Sequence, residues 1–175
     1  MGMFGPGSGS VEAMSADHGA RRPDHEARRA ALRDLLVENG VDALLVTDLV
    51  NIRYLTGFTG SNAALLVYAW DTPEARTVIC TDGRYITQVG EQVPDLRAEI
   101  ARASARRIVE LAGEWQTGRV GFESHVVTFD QHRGFVEQGT GLELVAVPGL
   151  VEQLRMVKDQ YEVDRLRAAC AAADA

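Results

Sequence analysis

The stretch VDALLVTD, residues 41–48, does most to narrow the folds open to this 175-residue chain. Its apolar residues run together without a polar residue at alternate positions, the pattern of a strand covered on both faces. Such a strand needs helices above and below it, so the chain is committed to α/β layers. The segment before it agrees. After Pro23, DHEARRAALRDLLVENG sets Leu32, Leu35 and Leu36 at helical spacing, with Asp24 as N-cap and Gly40 just past the end.

Further strands are expected at residues 62–70, 76–81, 96–101, 119–124 and 142–147, each bounded by Gly, Pro, Asp or Asn. DTPEA between the first two is short enough for a hairpin, which makes at least one pairing antiparallel and the sheet mixed. Helical patterns separate the later strands: GRYITQVGEQV, SARRIVELAGEW opened by Ser104, and TFDQHRGFVEQG, where Thr128 and Gln131 have capping-box spacing and Gly139 follows. Residues 149–175 read as two more helices, the second capped by Asp159 and Glu162, with Val163, Leu166, Ala169 and Cys170 as its apolar stripe.

A chain of this length buries roughly 68–70% of its unfolded surface, so one domain with a real core is expected. The net charge of −7 argues against nucleic acid, and no apolar run approaches the ~18 residues of a membrane span. The one basic cluster, Arg21, Arg22, Arg28, Arg29 and Arg33, is interleaved with Asp24, Glu26 and Asp34 and reads as a solvated helix face. Cys80 and Cys170 lie far apart without a C-x-x-C and read as buried or half-buried free thiols of a reducing compartment. Residues 1–23 are rich in Gly, Ser and Pro, lack the apolar core of a secretory signal, and read as a flexible tail or cloning remnant.

Three stretches carry candidate chemistry. NIRYLTGFTGSN, residues 51–62, has the composition of a loop, yet a strand follows it where a phosphate loop or a nucleophile elbow requires a helix. It reads instead as a turn, with Gly57 and Gly60 supplying backbone freedom and Ser61 and Asn62 bonding local groups. In ESHVVTFDQH, Glu123, His125, Asp130 and His132 fall within ten residues but straddle a strand-to-helix boundary, so they read as loop and cap residues rather than a metal site. In TDGRY, Asp82 and Arg84 read as the charged pair of a turn. The remaining acids appear scattered over helix faces, leaving no carboxylate pair and no self-sufficient catalytic centre.

TDLVNIRYLTGFTGSNAALLV, TDGRYITQV, VGFES and LVEQLRMVKDQYEVDRLRAACAAADA, in this order and spacing, resemble the N-terminal domain of the Xaa-Pro aminopeptidase, prolidase and creatinase family across residues 28–175. The resemblance implies an α/β fold with a mixed, mainly six-stranded sheet flanked by helices in ribonuclease-H-like topology. It divides the chain into a tail (1–23), the α/β domain (24–150) and linker helices (151–175) leading into a catalytic domain outside this sequence. The family's two divalent metals, Mn, Co or Zn, belong to that other domain, and neither H-x-x-G-H-G nor D-x-G followed by D-x-T-R occurs here. No metal ligand, cofactor or catalytic residue is therefore assigned to this chain.

What the resemblance leaves to the domain is dimerisation and control of peptide access, in a cytoplasmic protein whose partners are its own catalytic domain, a second copy and peptide substrate. Asn51, Arg53, Tyr54 and Phe58 are the contact candidates it implies, with Arg53 able to face a substrate carboxylate. Against this stands the reading that Tyr54, Leu55 and Phe58 simply pack on the core. Gly57, Gly60, Ser61, Asp82 and Arg84 are expected to be structural. The same domain also occurs in creatinase-like amidinohydrolases and as an interaction module in members that have lost the metals.

Overall fold

The computed structural model describes residues 23–70 and 77–174. The expected tail, apart from Pro23, and the DTPEA connection lie outside these residues. In chain order the elements are α1 (His25–Glu38), β1 (Ala43–Val46), α2 (Leu49–Thr56), β2 (Ala63–Tyr68), β3 (Val78–Thr81), a 3-10 turn (Gly83–Tyr85), α3 (Ile86–Gln92), β4 (Arg97–Ile100), α4 (Ser104–Glu114), β5 (Arg119–Phe122), α5 (Phe129–Gln138), β6 (Glu143–Ala146), α6 (Leu150–Met156) and α7 (Gln160–Ala173).

The strands form one sheet in the order β4-β3-β2-β1-β5-β6. β2 is antiparallel to both β1 and β3, whereas β1–β5, β3–β4 and β5–β6 are parallel. The mixed sheet expected from the sequence is therefore present, with β1 at its centre and buried along its whole length. Strand alternation divides the interior in two. Leu44, Val46, Leu65, Val67 and Ile79 face α1, α2, α3 and α6, while Ala43, Leu45, Leu66, Cys80 and Phe122 face α4 and α5. Phe58 joins the first of these layers.

Local chemistry places the helix ends where the sequence puts them in most cases. Asp24 caps α1 by accepting from Ala27 N, and Gly40 follows with φ +62°. Both expected capping boxes form, Thr128 with Gln131 on α5 and Asp159 with Glu162 on α7. Ser104 is the first residue of α4 but does not cap it; its hydroxyl bonds Asn62 Oδ1 and the Ala101 carbonyl.

Three expectations need correction. Residues 51–56 are helical, because Asp48 accepts from Val50 N and starts a helix that Gly57, in the left-handed region at φ +80°, ends after eight residues. Two turns are too short to show a helical period, and the composition of this stretch is that of a loop. The basic face of α1 is not solvated: Arg29 is only 1% exposed and pairs with Glu26 and with Asp95, just past α3. The third concerns the thiols and the last stripe. Cys80 is buried, but Cys170 is exposed, and α7 has no buried residue, with Leu166 53% exposed.

Candidate functional site

Helix α2 is gripped electrostatically at both ends. At its start, Glu123 reaches over from the end of β5, and one carboxylate oxygen accepts from Thr47 N (2.6 Å) and Asp48 N (2.9 Å). Anion at the N-terminus and cation at the C-terminus is the arrangement a helix dipole favours. At the far end, His25 Nδ1 and Arg28 Nη1 both donate to the Tyr54 carbonyl at 3.0 Å, and Arg29 Nη1 donates to the Leu55 carbonyl at 3.0 Å. Burial beside Arg28 and Arg29 lowers the His25 pKa below its ordinary value of 6.5, outweighing the Tyr54 bond.

Asn51 links this helix to its surroundings. Its Nδ2 donates to Glu123 Oε1 (2.7 Å) and to Glu152 Oε1 (2.6 Å), while its Oδ1 accepts from Arg155 Nη1 (2.8 Å). With two carboxylates on one side and a guanidinium on the other, only one amide orientation satisfies all three. His125 Nε2 completes the cluster 3.2 Å from Glu152 Oε1. Burial pushes the Glu123 carboxyl above its ordinary pKa against the pull of its N–H donors. For the half-exposed Glu152, burial also acts upward, but the bonds from Asn51 and His125 prevail and hold it low.

The turn after α2 is built from packing. Gly60 lies under the Phe58 ring, where a Cβ would stand 2.4 Å from Cζ, and the ring meets Tyr85 edge-on with centroids 5.7 Å apart. Ser61 Oγ and Tyr85 Oη are 2.7 Å apart, a bond that lowers the Tyr85 pKa. Asn62 Nδ2 donates to Asp82 Oδ2 at 2.7 Å, and Asp82 accepts from Arg84 N, Nε (2.9 Å) and Nη2 (2.8 Å). The Arg84 guanidinium and the Asn62 amide hold the Asp82 carboxyl well below the usual carboxylate range.

The sequence-derived contact residues therefore divide. Asn51 and Phe58 are fully covered, at 0% and 1% exposure, and spend their side chains on the domain's own interior. Arg53 is exposed and Tyr54 half-buried, and both line a cavity of about 520 Å³ with Arg28, Arg155, Tyr161 and Glu162. Arg53 has no ion pair among the described residues. Glu123, Glu152 and Arg155 were not singled out for this cluster. A signal existed for Glu123, an acid closing the apolar run of β5 beside the end of β1, but the partners of the other two lie a hundred residues away.

The candidate reactive side chains are held apart from one another. Ser61 lies beside Tyr85 rather than a base, and the ESHVVTFDQH residues go separate ways: Glu123 to α2, His125 to Glu152, Asp130 to Arg133, and His132 against the Phe122 ring. Among the described residues no three His, Cys, Asp or Glu side chains are placed to hold a metal, so the divalent ions implied by the resemblance do not fit here.

Comparison with known proteins accords with this fold. Residues 28–157 match the family model described as the Creatinase/Prolidase N-terminal domain. The chain is 33% identical over 144 residues to the uncharacterized peptidase YqhT of Bacillus subtilis, spanning 82% of this chain and 39% of that protein. It is 30% identical over 125 residues to the Xaa-Pro aminopeptidase app-1 of Caenorhabditis elegans, across 67% of this chain and 18% of that one. Among solved structures, the N-terminal domain of the cytoplasmic peptidase PepQ from Mycobacterium tuberculosis shares 47% identity with a TM-score of 0.70, covering 73% of this chain and 98% of that domain. The chain thus spans well under half the length of the curated relatives it matches.

Proposed function

The chain belongs to the creatinase/prolidase N-terminal domain family, and from that premise we propose that it serves a metal-dependent Xaa-Pro peptidase as a non-catalytic domain for dimerisation and substrate access. Residues 24–150 form the working α/β unit, and 151–175, of which α6 still packs on that unit, lead toward a catalytic domain that carries the two divalent metals. Peptide substrate, the catalytic domain and a second copy are its partners, in the cytoplasm. The hydrolysis belongs to that catalytic domain, and no step of it is assigned to this chain.

The observation that carries this reading is Arg53: an exposed guanidinium, unpaired among the described residues, beside Tyr54 on a short helix braced at both ends. An arginine held ready on a rigid element suits recognition of a planar carboxylate, and fixing the helix in advance lowers the ordering cost of binding. Asn51 and Phe58 contribute from behind, by anchoring the helix and the turn that follows it.

The test is Arg53→Ala in the full-length protein assayed on an Xaa-Pro dipeptide. KM should rise about tenfold or more, as for a lost charged contact of ~1.5–3 kcal/mol. kcat and the circular dichroism spectrum should hold. An unchanged KM would refute the access role.

A further inference from the structure

The chain loses its buried apolar anchors between α6 and α7. Up to Met156 apolar packing and the Asn51 cluster hold it together: Leu150 and Val151 are buried, Leu154 packs on the same cluster as α1 and α2, and Glu152 and Arg155 bond Asn51. Past Val157, whose backbone is extended at φ −91° and ψ 112°, the attachment becomes ionic. The first turn of α7 is only partly covered, and its Tyr161 and Glu162 line the 520 Å³ cavity.

Arg28 links this turn to the domain. Its Nη2 donates to Asp159 Oδ2 at 2.6 Å and lies 3.5 Å from Glu162 Oε2. Its Nη1 holds the Tyr54 carbonyl, and the guanidinium sits 4.1 Å over the Tyr54 ring. Asp159 and Glu162 are also the two members of the α7 capping box. The carboxylates that start the helix are thus the ones that hold the arginine, so the position of Arg28 dictates where and in which direction α7 begins. The arginine is the fixed half, with its side chain nine-tenths covered, and Asp159, 41% exposed, is the half free to leave.

We propose that Arg28, Asp159 and Glu162 form an ionic joint that sets the direction of α7 relative to the sheet, and that α7 swings when this joint is neutralised. Apolar docking is spread over many contacts and resists a single change. A joint of one guanidinium and two partly exposed carboxylates is released by one change of charge, leaving α1, α2 and the sheet in place. This goes beyond the access role and stands whether or not that role is correct.

The chain supplies its own probe. Cys170 is exposed on α7 and Cys80 is buried, so a spin label attaches at Cys170, with a second at Glu38→Cys on the exposed end of α1. Cys170 lies ~15 Å along α7 from Gln160, and a swing of about 30° displaces it by ~8 Å. Double electron–electron resonance should give one narrow distance for the parent. The variant Asp159→Asn/Glu162→Gln keeps residues able to cap, so its helical circular dichroism should match the parent while the narrow peak is lost to a broad distribution. Arg28→Ala should do the same from the other side. The joint is refuted if both variants keep the parent's narrow distance, if the parent is already broad, or if the Asn/Gln variant loses helical signal. In that last case the charges hold the helix itself and not its direction.

Discussion

Replacing Asn51 by alanine removes the side chain on which α2, β5 and α6 converge. Its largest loss is the donor to Glu123, a buried carboxylate, where a hydrogen bond to a charged group contributes about 1.5–3 kcal/mol. The bonds to Glu152, whose side chain is 35% exposed, and to Arg155 are partly solvated and add ~0–1 kcal/mol each. The sum is about 3 kcal/mol, a large share of a total stability of about 5–15 kcal/mol, and it corresponds to a fall in Tm of roughly 6–12 °C.

Urea denaturation at pH 7, followed by circular dichroism, measures this directly. Asn51→Asp sharpens the test, because it sets a carboxylate oxygen where an N–H now lies 2.7 Å from Glu123 and 2.6 Å from Glu152. A carboxyl wedged between two others has a raised pKa in the folded state, so the native state binds the extra proton and stability falls as pH rises through that window. The Asp variant should therefore be less stable than the Ala variant at pH 7 and converge on it toward acid pH. An Ala variant within ~0.5 kcal/mol of the parent would refute the reasoning, because that is the scale of a surface change without structural consequence.

Two further outcomes follow from the same geometry. Gly60→Ala drives a Cβ to 2.4 Å from a Phe58 ring that Tyr85 holds in place, and should cost about 1–3 kcal/mol by thermal unfolding, whereas Gly83→Ala, with nothing within 4 Å, should stay within ~0.5 kcal/mol. Equal effects would show that the turn is loosely packed. His25 has a folded pKa below its ordinary 6.5, so the unfolded state takes up its proton first and stability is lost as pH falls through that value. The urea midpoint should decline from about pH 7.5 to about 5.5 in the parent and fall less in His25→Gln; parallel curves would exclude His25 as the cause.

The layers and much of the punctuation were legible because they depend on nearest neighbours in the chain. Apolar runs mark the strands, and the caps at Asp24, Thr128 and Asp159 act within three residues of themselves. Helix α2 was not legible, since eight residues give no period and its glycine, threonine and serine neighbours read as loop. Arg29 misled for another reason. An arginine among acids on a helix looks solvated until Asp95, 66 residues away, arrives to pair with it.

By itself the sequence determined the α/β class, the mixed sheet, the family resemblance and the caps at Asp24, Thr128 and Asp159, because period and capping are local properties. Only the tertiary structure decided which side chains around α2 face inward. Asn51 and Arg53 are two residues apart on one helix, yet one is fully buried between carboxylates and the other stands free in solvent. That difference arises where the ends of β1 and β5, the first turns of α6 and the Arg28 side of α1 meet, and partners such as Glu152 and Arg155, a hundred residues from Asn51, leave no mark in the local pattern of the chain.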